Sequence, residues 1–272
     1  MDDTAASSAS QFFTTRIDVG GHQLAITRAG SGKPAVVLDS GLGDGGDIWQ
    51  TVQQAIAQWT MVYSYDRAGL GQSDPGSRPR TCQTIVDELH TLLMRAQVAA
   101  PYVLVGHSLG GLNARLYASQ YPGEVAGAVL VDSAVTNFNM VEMLPPEDAN
   151  EAEALGKVRH ILHEERYNND EGIDMETSEE QIRTITSLGD LPLIVITHAS
   201  EGWIQQVLDL LPGNPRELVA QMDQIWQERQ RALLRLSTRS ILLTAEHSGH
   251  YVHTGEPELV IQAIRSLLQK TL

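Results

Sequence analysis

The stretch Val103-Leu104-Val105-Gly106-His107-Ser108-Leu109-Gly110-Gly111 constrains this chain more than any other. A short apolar run, of the kind that forms a parallel strand buried on both faces, leads into Gly-x-Ser-x-Gly and then into a helical pattern over 112–121. A serine between such a strand and helix stands on a turn so tight that its own backbone is strained. Side chains at Gly106 and Gly110 would collide with neighbouring backbone there. The helix behind Ser108 aims its first N–H groups and its positive dipole end at any anion that forms beside it. Five residues of this pattern occur by chance in loops. The strand before and the helix after them make Ser108 a candidate nucleophile.

The pattern predicts a polar tail over 1–11 and then an antiparallel hairpin, 14–19 with 22–27, around Gly20-Gly21. Apolar strands are predicted at 35–38, 61–65, 101–106, 126–131, 193–197 and 240–244. Helical patterns fall between them. One is capped near Asp47 and carries Trp49, Val52, Ile56 and Trp59 on a single face; another spans 81–98 with Ile85, Leu89, Leu92 and Leu93 inward. After the strand at 193–197 comes a loop with Glu201 and Trp203. It continues through Pro212-Gly213-Asn214-Pro215 into a long helix reaching about Leu236, and Pro257 opens a closing helix to Leu268.

Residues 133–190 have a different character. They hold 14 acidic and 4 basic residues, which is most of the chain's formal net charge of −15. Helical patterns at 151–165 and 179–188 follow one another with no strand between them. The expectation is a core of residues 1–132 and 191–272 and a helical cap inserted at 133–190. Phe138, Met140 and Met143 either line an acyl pocket or pack the cap onto the core. The runs Glu164-Glu165 and Asp170-Glu171 read as solvated surface. So acidic a chain of 272 residues is a poor partner for nucleic acid or an anionic membrane. Cys82 is the single cysteine, which leaves no internal disulfide and no cysteine metal site. Met1-Asp2-Asp3 lacks a basic n-region, and no run approaches 18 apolar residues, so a cytoplasmic location is expected.

Two glycine-rich turns close strands. Asp66-Arg67-Ala68-Gly69-Leu70-Gly71-Gln72-Ser73-Asp74 reads as a turn whose Asp and Arg pin a loop. Gly41-x-Gly43-x-x-Gly46 admits two readings. It matches a dinucleotide fingerprint, with Asp66 twenty residues past Gly46 as the ribose acid. It also suits a loop that lends a backbone N–H to a tetrahedral intermediate. The hairpin before the strand and the serine elbow after it favour the second reading.

Taken together, residues 39–49, 65–74, 106–111, 125–133 and 248–257 resemble the α/β-hydrolase superfamily, in the family's order and over nearly the whole chain, on its serine-esterase side. The resemblance implies an α/β fold: a mostly parallel sheet with an N-terminal antiparallel hairpin, helices on both faces and a helical cap insertion. It implies a catalytic triad in which Ser108 attacks a carbonyl, a histidine shuttles the proton and a carboxylate orients the imidazole. The family places its base on the loop after the last strand, which points to His250 ahead of His247 and His253; His107, beside the nucleophile, reads as packing. The acid has two seats, Asp132 at the end of the strand after the elbow helix and Glu201 past the next strand. Many members carry His-Gly before the oxyanion residue where this chain has Ser40-Gly41. The backbone donors are then Leu42 and Leu109. Serine at the elbow, where dehalogenases and epoxide hydrolases carry aspartate, argues against those branches. The activity implied is cleavage of small-molecule carboxylic esters or lactones without metal or organic cofactor. A C–C hydrolase or hydroxynitrile lyase would use the same triad, while a nucleotide-dependent oxidoreductase and a non-catalytic ligand receptor are the readings from other classes. The acidic insertion disfavours polyanionic substrates.

Overall fold

In the computed structural model, which describes residues 11–147, 153–210 and 215–271, eight strands form one sheet in the order β1-β2-β4-β3-β5-β6-β7-β8. The strands are β1 (Phe13–Asp18), β2 (Gln23–Ala29), β3 (Ala35–Asp39), β4 (Val62–Tyr65), β5 (Tyr102–His107), β6 (Val125–Val131), β7 (Leu193–His198) and β8 (Ser240–Ala245). β1 and β2 form the expected hairpin, β2 runs antiparallel to β4, and every other pairing is parallel. The tail over 1–10 and the Pro212-Gly213-Asn214 turn lie outside the described residues.

The alternating side chains of the central strands fill two cores, one on each face. Val36, Leu38, Val103, Val105, Val129 and Val131 point to one face. They meet α1 (Gln50–Ile56), α9 (Val252–Gly255) and α10 (Pro257–Thr271) through Val52, Ile56, Val252, Val260 and Ile264. Val37, Leu104, Ala128 and Leu130 point to the other face. There they meet α2 (Cys82–Arg95), α3 (Leu109–Gln120) and α8 (Arg216–Ala232) through Ile85, Leu89, Leu112, Leu116 and Met222. Burial on both faces is why these strands read as unbroken apolar runs. Between β6 and β7 lie α4 (Met140–Met143), α5 (Glu153–Tyr167) and α6 (Met175–Arg183). Among the described residues no strand interrupts this insertion.

Three local expectations are corrected. Asp47 does not cap α1; a 3₁₀ turn over Gly46–Trp49 comes first, and Trp49 is the N-cap residue. The turn buries the Trp49 indole, whose N–H donates to Ser40 Oγ at 3.1 Å. The helix then ends at Ile56, and Trp59 lies beyond it, 42% exposed with the Arg265 guanidinium over its ring at 4.7 Å. Glu201 and Trp203 stand on a helix, α7 (Ser200–Leu210), not on a loop. Gly202 masks the helical pattern, while Trp203 anchors it by stacking on His198 with ring centroids 5.3 Å apart. Finally, α6 starts and stops earlier than 179–188. Asp174 caps it by accepting the Thr177 N–H at 2.9 Å. Leu188, past its end, donates its N–H to Leu236.

Candidate active site

β5 ends at His107, and Ser108 is the N-cap residue of α3 with φ 49° and ψ −116°. A residue with a side chain is strained in that region and stays there only when its surroundings hold it. Here the Ser108 N–H donates to Val131 O at 3.2 Å. Its carbonyl accepts from the N–H groups of Gly111 and Ala134, both at 2.9 Å. The flanking glycines are required by close approach. A Cβ on Gly106 would lie 2.2 Å from Gly110 O, and one on Gly110 would lie 2.3 Å from Asp39 O. The start of α3 is thus pressed against the ends of β3 and β5.

Asp132, the first residue after β6, is fully buried with φ 41°. Its Oδ2 accepts from His250 Nδ1 at 2.7 Å. That bond makes Nδ1 the protonated nitrogen and leaves His250 Nε2 as the free acceptor. His250 sits between β8 and α9, on a loop tied to the residue beside the serine. His107 Nε2–H donates to the His250 carbonyl at 3.0 Å, and the two rings lie 4.6 Å apart. His107 therefore seats the His250 loop as well as packing. No hydrogen bond joins Ser108 to the His250 ring among the described residues. Such bonds commonly tighten only when substrate binds.

The other candidates lie outside the Asp132–His250 pair. Glu201 is exposed on α7 and pairs with Arg216 at 2.7 and 2.8 Å. His247 is exposed. His253 is buried between Trp49 and His107, at centroid distances of 4.3 and 4.4 Å, and neither ring nitrogen has a hydrogen-bond partner. Burial pushes its imidazole down to about 3, so it stays neutral. Asp66, the acid a ribose would need, spends both oxygens on its own loops. Oδ1 takes the Gly46 N–H at 2.7 Å and Oδ2 the Gln72 N–H at 2.8 Å. Leu109 follows Ser108 as the first residue of α3, and among the described residues no acceptor takes the N–H of Leu109 or of Leu42, in the loop after β3. Phe138 is buried edge-on to Trp226 at 5.4 Å, while Met140 and Met143 are half-buried against the same core.

The sequence reading missed what stands behind Asp132. Its Oδ2 also accepts from His198 Nδ1 at 2.8 Å, and its Oδ1 from Trp226 Nε1 at 3.0 Å and Thr197 Oγ1 at 3.2 Å. The second nitrogen of His198 meets Asp223 Oδ1 at 2.9 Å. A neutral imidazole donates through one nitrogen only, so a ring with a carboxylate on each side is an imidazolium. Burial opposes that charge, but Asp132 and Asp223 outweigh it and hold the ring at about 9. Burial likewise opposes the Asp132 carboxylate, yet His198 and His250 keep it well below the usual carboxylate range. A histidine closing an apolar strand was the one local signal available.

One expectation about charge is overturned. Glu171, read as solvated surface, is 2% exposed, because its carboxylate faces the Arg67 guanidinium across the sheet's end. Among the described residues no cluster of three or more His, Cys, Asp or Glu could hold a metal ion, and no helix is long and apolar enough to cross a membrane.

Comparison with known proteins agrees with this architecture. A family model described as the alpha/beta hydrolase fold matches residues 34–160. An uncharacterised Bacillus subtilis protein, YqjL, is 29% identical over 240 residues, covering 87% of this chain and 84% of its own. A longer relative from Hormonema carpetanum is 27% identical, and the chain spans only 42% of it. Among solved structures, a thermophilic esterase from Thermogutta terrifontis superposes with TM-score 0.66 at 20% identity, over 95% of this chain and 99% of that one. A 2-hydroxy-6-oxo-6-phenylhexa-2,4-dienoate hydrolase from Rhodococcus does so with TM-score 0.67 at 15% identity, over 96% and 99%. With the eight-stranded sheet and its antiparallel hairpin already in place, these matches support a hydrolase and show that the chain has the α/β-hydrolase fold.

Proposed function

We propose that the chain is a serine hydrolase that cleaves small carboxylic esters through an acyl-enzyme. The observation that carries this reading is the strained Ser108 on its strand–helix elbow, one strand away from an Asp132–His250 pair bonded at 2.7 Å. His250 Nε2 takes the Ser108 proton as Oγ attacks the ester carbonyl. The carbonyl π pair moves onto oxygen, where the N–H groups of Leu42 and Leu109 receive it. Collapse expels the alcohol, which takes its proton from His250. Water then repeats the sequence on the acyl-enzyme and releases the acid. Asp132 orients His250 and stabilises its charged form, in preference to Glu201, which is exposed and paired with Arg216. The insertion over 133–190 is the cap, and neither metal nor organic cofactor takes part.

A fluorophosphonate probe tests the reading. One label is expected on the peptide that holds Ser108, and Ser108→Ala should abolish turnover of chromogenic short-chain esters. About 10³-fold catalysis over water could survive from the oxyanion hole and binding alone. Labelling elsewhere, or an Ala variant that turns over normally, refutes it.

A further inference from the structure

Arg67 is 1% exposed and uses all five of its N–H donors. Nε and one Nη2 hydrogen go to the two carboxylate oxygens of Glu171, each at 2.7 Å. Nη1 donates to Asp39 Oδ1 at 2.9 Å and to Ser40 O at 2.7 Å, and Nη2 also donates to Gly41 O. Glu171 Oε1 in turn accepts the Gly43 N–H at 2.8 Å. So the peptide groups on both sides of Leu42 are held: the carbonyl of Gly41 by Arg67, and the N–H of Gly43 by Glu171.

The Gly41–Leu42 peptide is trans, so its C=O and N–H point in opposite directions. Drawing the Gly41 carbonyl onto the buried guanidinium turns the Leu42 N–H the other way. The same end of the loop is fixed against the elbow, because Ser40 O also accepts the Gly110 N–H at 3.1 Å. One of the five donors meets the Gly41 carbonyl, which also accepts the Asp44 N–H at 3.1 Å; the others fix β3's final residue, the Ser40 carbonyl and the carboxylate, 104 residues away, that holds the Gly43 N–H.

We infer that Arg67 and Glu171 are positioning residues for the oxyanion hole: together they fix the Leu42 N–H, so that the β6–β7 insertion, which carries Glu171, completes the catalytic core. The inference rests on the serine-hydrolase reading above. It assigns Arg67 a role in transition-state stabilisation that no contact with substrate requires. Lysine could not replace it, having three donors and no planar fork.

The test compares Glu171→Gln with the unaltered protein. The amide keeps the shape but sets an NH2 against donors of Arg67 or Gly43. For folded Glu171→Gln, kcat on a short-chain chromogenic ester should fall about 10- to 100-fold, short of the roughly 10²–10³ for outright loss of an oxyanion donor. KM should stay within about twofold. The acid limb of the pH–kcat/KM profile should not move, because Asp132 and His250 are untouched. The rate of Ser108 phosphonylation by the fluorophosphonate should drop in parallel, since the phosphoryl oxygen occupies the same hole. If Glu171→Gln does not fold, Glu171→Asp, which keeps the charge and shortens the reach, should show the same kcat-selective loss in smaller measure. A variant labelled and turning over at the unaltered rate overturns the inference, as does a loss confined to KM. If the unaltered protein is not labelled at Ser108, the serine-hydrolase reading falls and takes this one with it.

Discussion

Replacing His198 with glutamine removes a buried cation whose protonation the native fold itself maintains. The imidazole is held at about 9, against 6.5 for the free group, because Asp132 and Asp223 face its two nitrogens. The folded state therefore binds a proton that the unfolded chain releases above pH 6.5. Its stabilisation is complete below about pH 6.5 and is lost as pH rises through 9. The rise from 6.5 to about 9 corresponds to roughly 3 kcal/mol. For a chain of this size that moves the unfolding midpoint by roughly 6–12 °C. Thermal unfolding followed by far-ultraviolet circular dichroism between pH 7 and 9, above the range in which the buried, neutral His107 and His253 take up protons on unfolding, measures it directly at constant ionic strength. The unaltered protein should lose stability across that window, and His198→Gln should start lower and run nearly flat. A flat profile in the unaltered protein, or an undiminished slope in His198→Gln, would refute the assignment of an imidazolium behind Asp132.

Two further outcomes follow from the site. Asp132→Asn should cut kcat by roughly 10⁴ while Ser108 remains open to the probe, whereas Glu201→Gln, which disturbs only an exposed pair with Arg216, should change kcat less than about twofold; steady-state kinetics on chromogenic esters decides, and the reverse ranking would move the acid to Glu201. Gly110→Ala puts a Cβ 2.3 Å from the Asp39 carbonyl, backbone against backbone with no flexible side chain to yield; a cost of about 3 kcal/mol or more is expected in urea unfolding, and a midpoint within about 1 kcal/mol of the unaltered protein would contradict the close approach.

The parts of the fold legible in the sequence were those written locally. Strands buried on both faces show as runs such as Val103-Leu104-Val105 and Val129-Leu130-Val131, and the elbow shows as glycines around Ser108. Thr81 at the start of α2 is a cap whose side chain accepts the Thr84 N–H. What the sequence hid depends on partners far along the chain. Arg67 meets Glu171 across 104 residues, and Asp132 meets His198 across 66. Nothing near Glu171 distinguishes it from its solvated neighbour Asp170. The Asp132–Glu201 ambiguity had the same origin, since the choice turns on which carboxylate His250 reaches and not on either strand end taken alone. α7 was lost to a single glycine within an otherwise helical window.

The acidity of the β6–β7 insertion bears on how a turnover would end. On the proposed reading, ester cleavage converts a neutral substrate into a carboxylate, and the segment over 133–190, which follows Asp132 directly along the chain, has ten more acidic than basic residues. Glu165 on α5 and Asp44 in the loop after β3 both lie within range of a charge interaction with His250. If the chain cleaves esters as proposed, that acidity would admit an uncharged ester and disfavour the acid it becomes, a direction that the chemistry of the triad does not supply. Because such repulsion is screened over a Debye length of about 8–10 Å, inhibition by the product acid should be weak in dilute buffer and strengthen as salt is added. Inhibition that weakens with salt would assign the acid a cationic subsite instead.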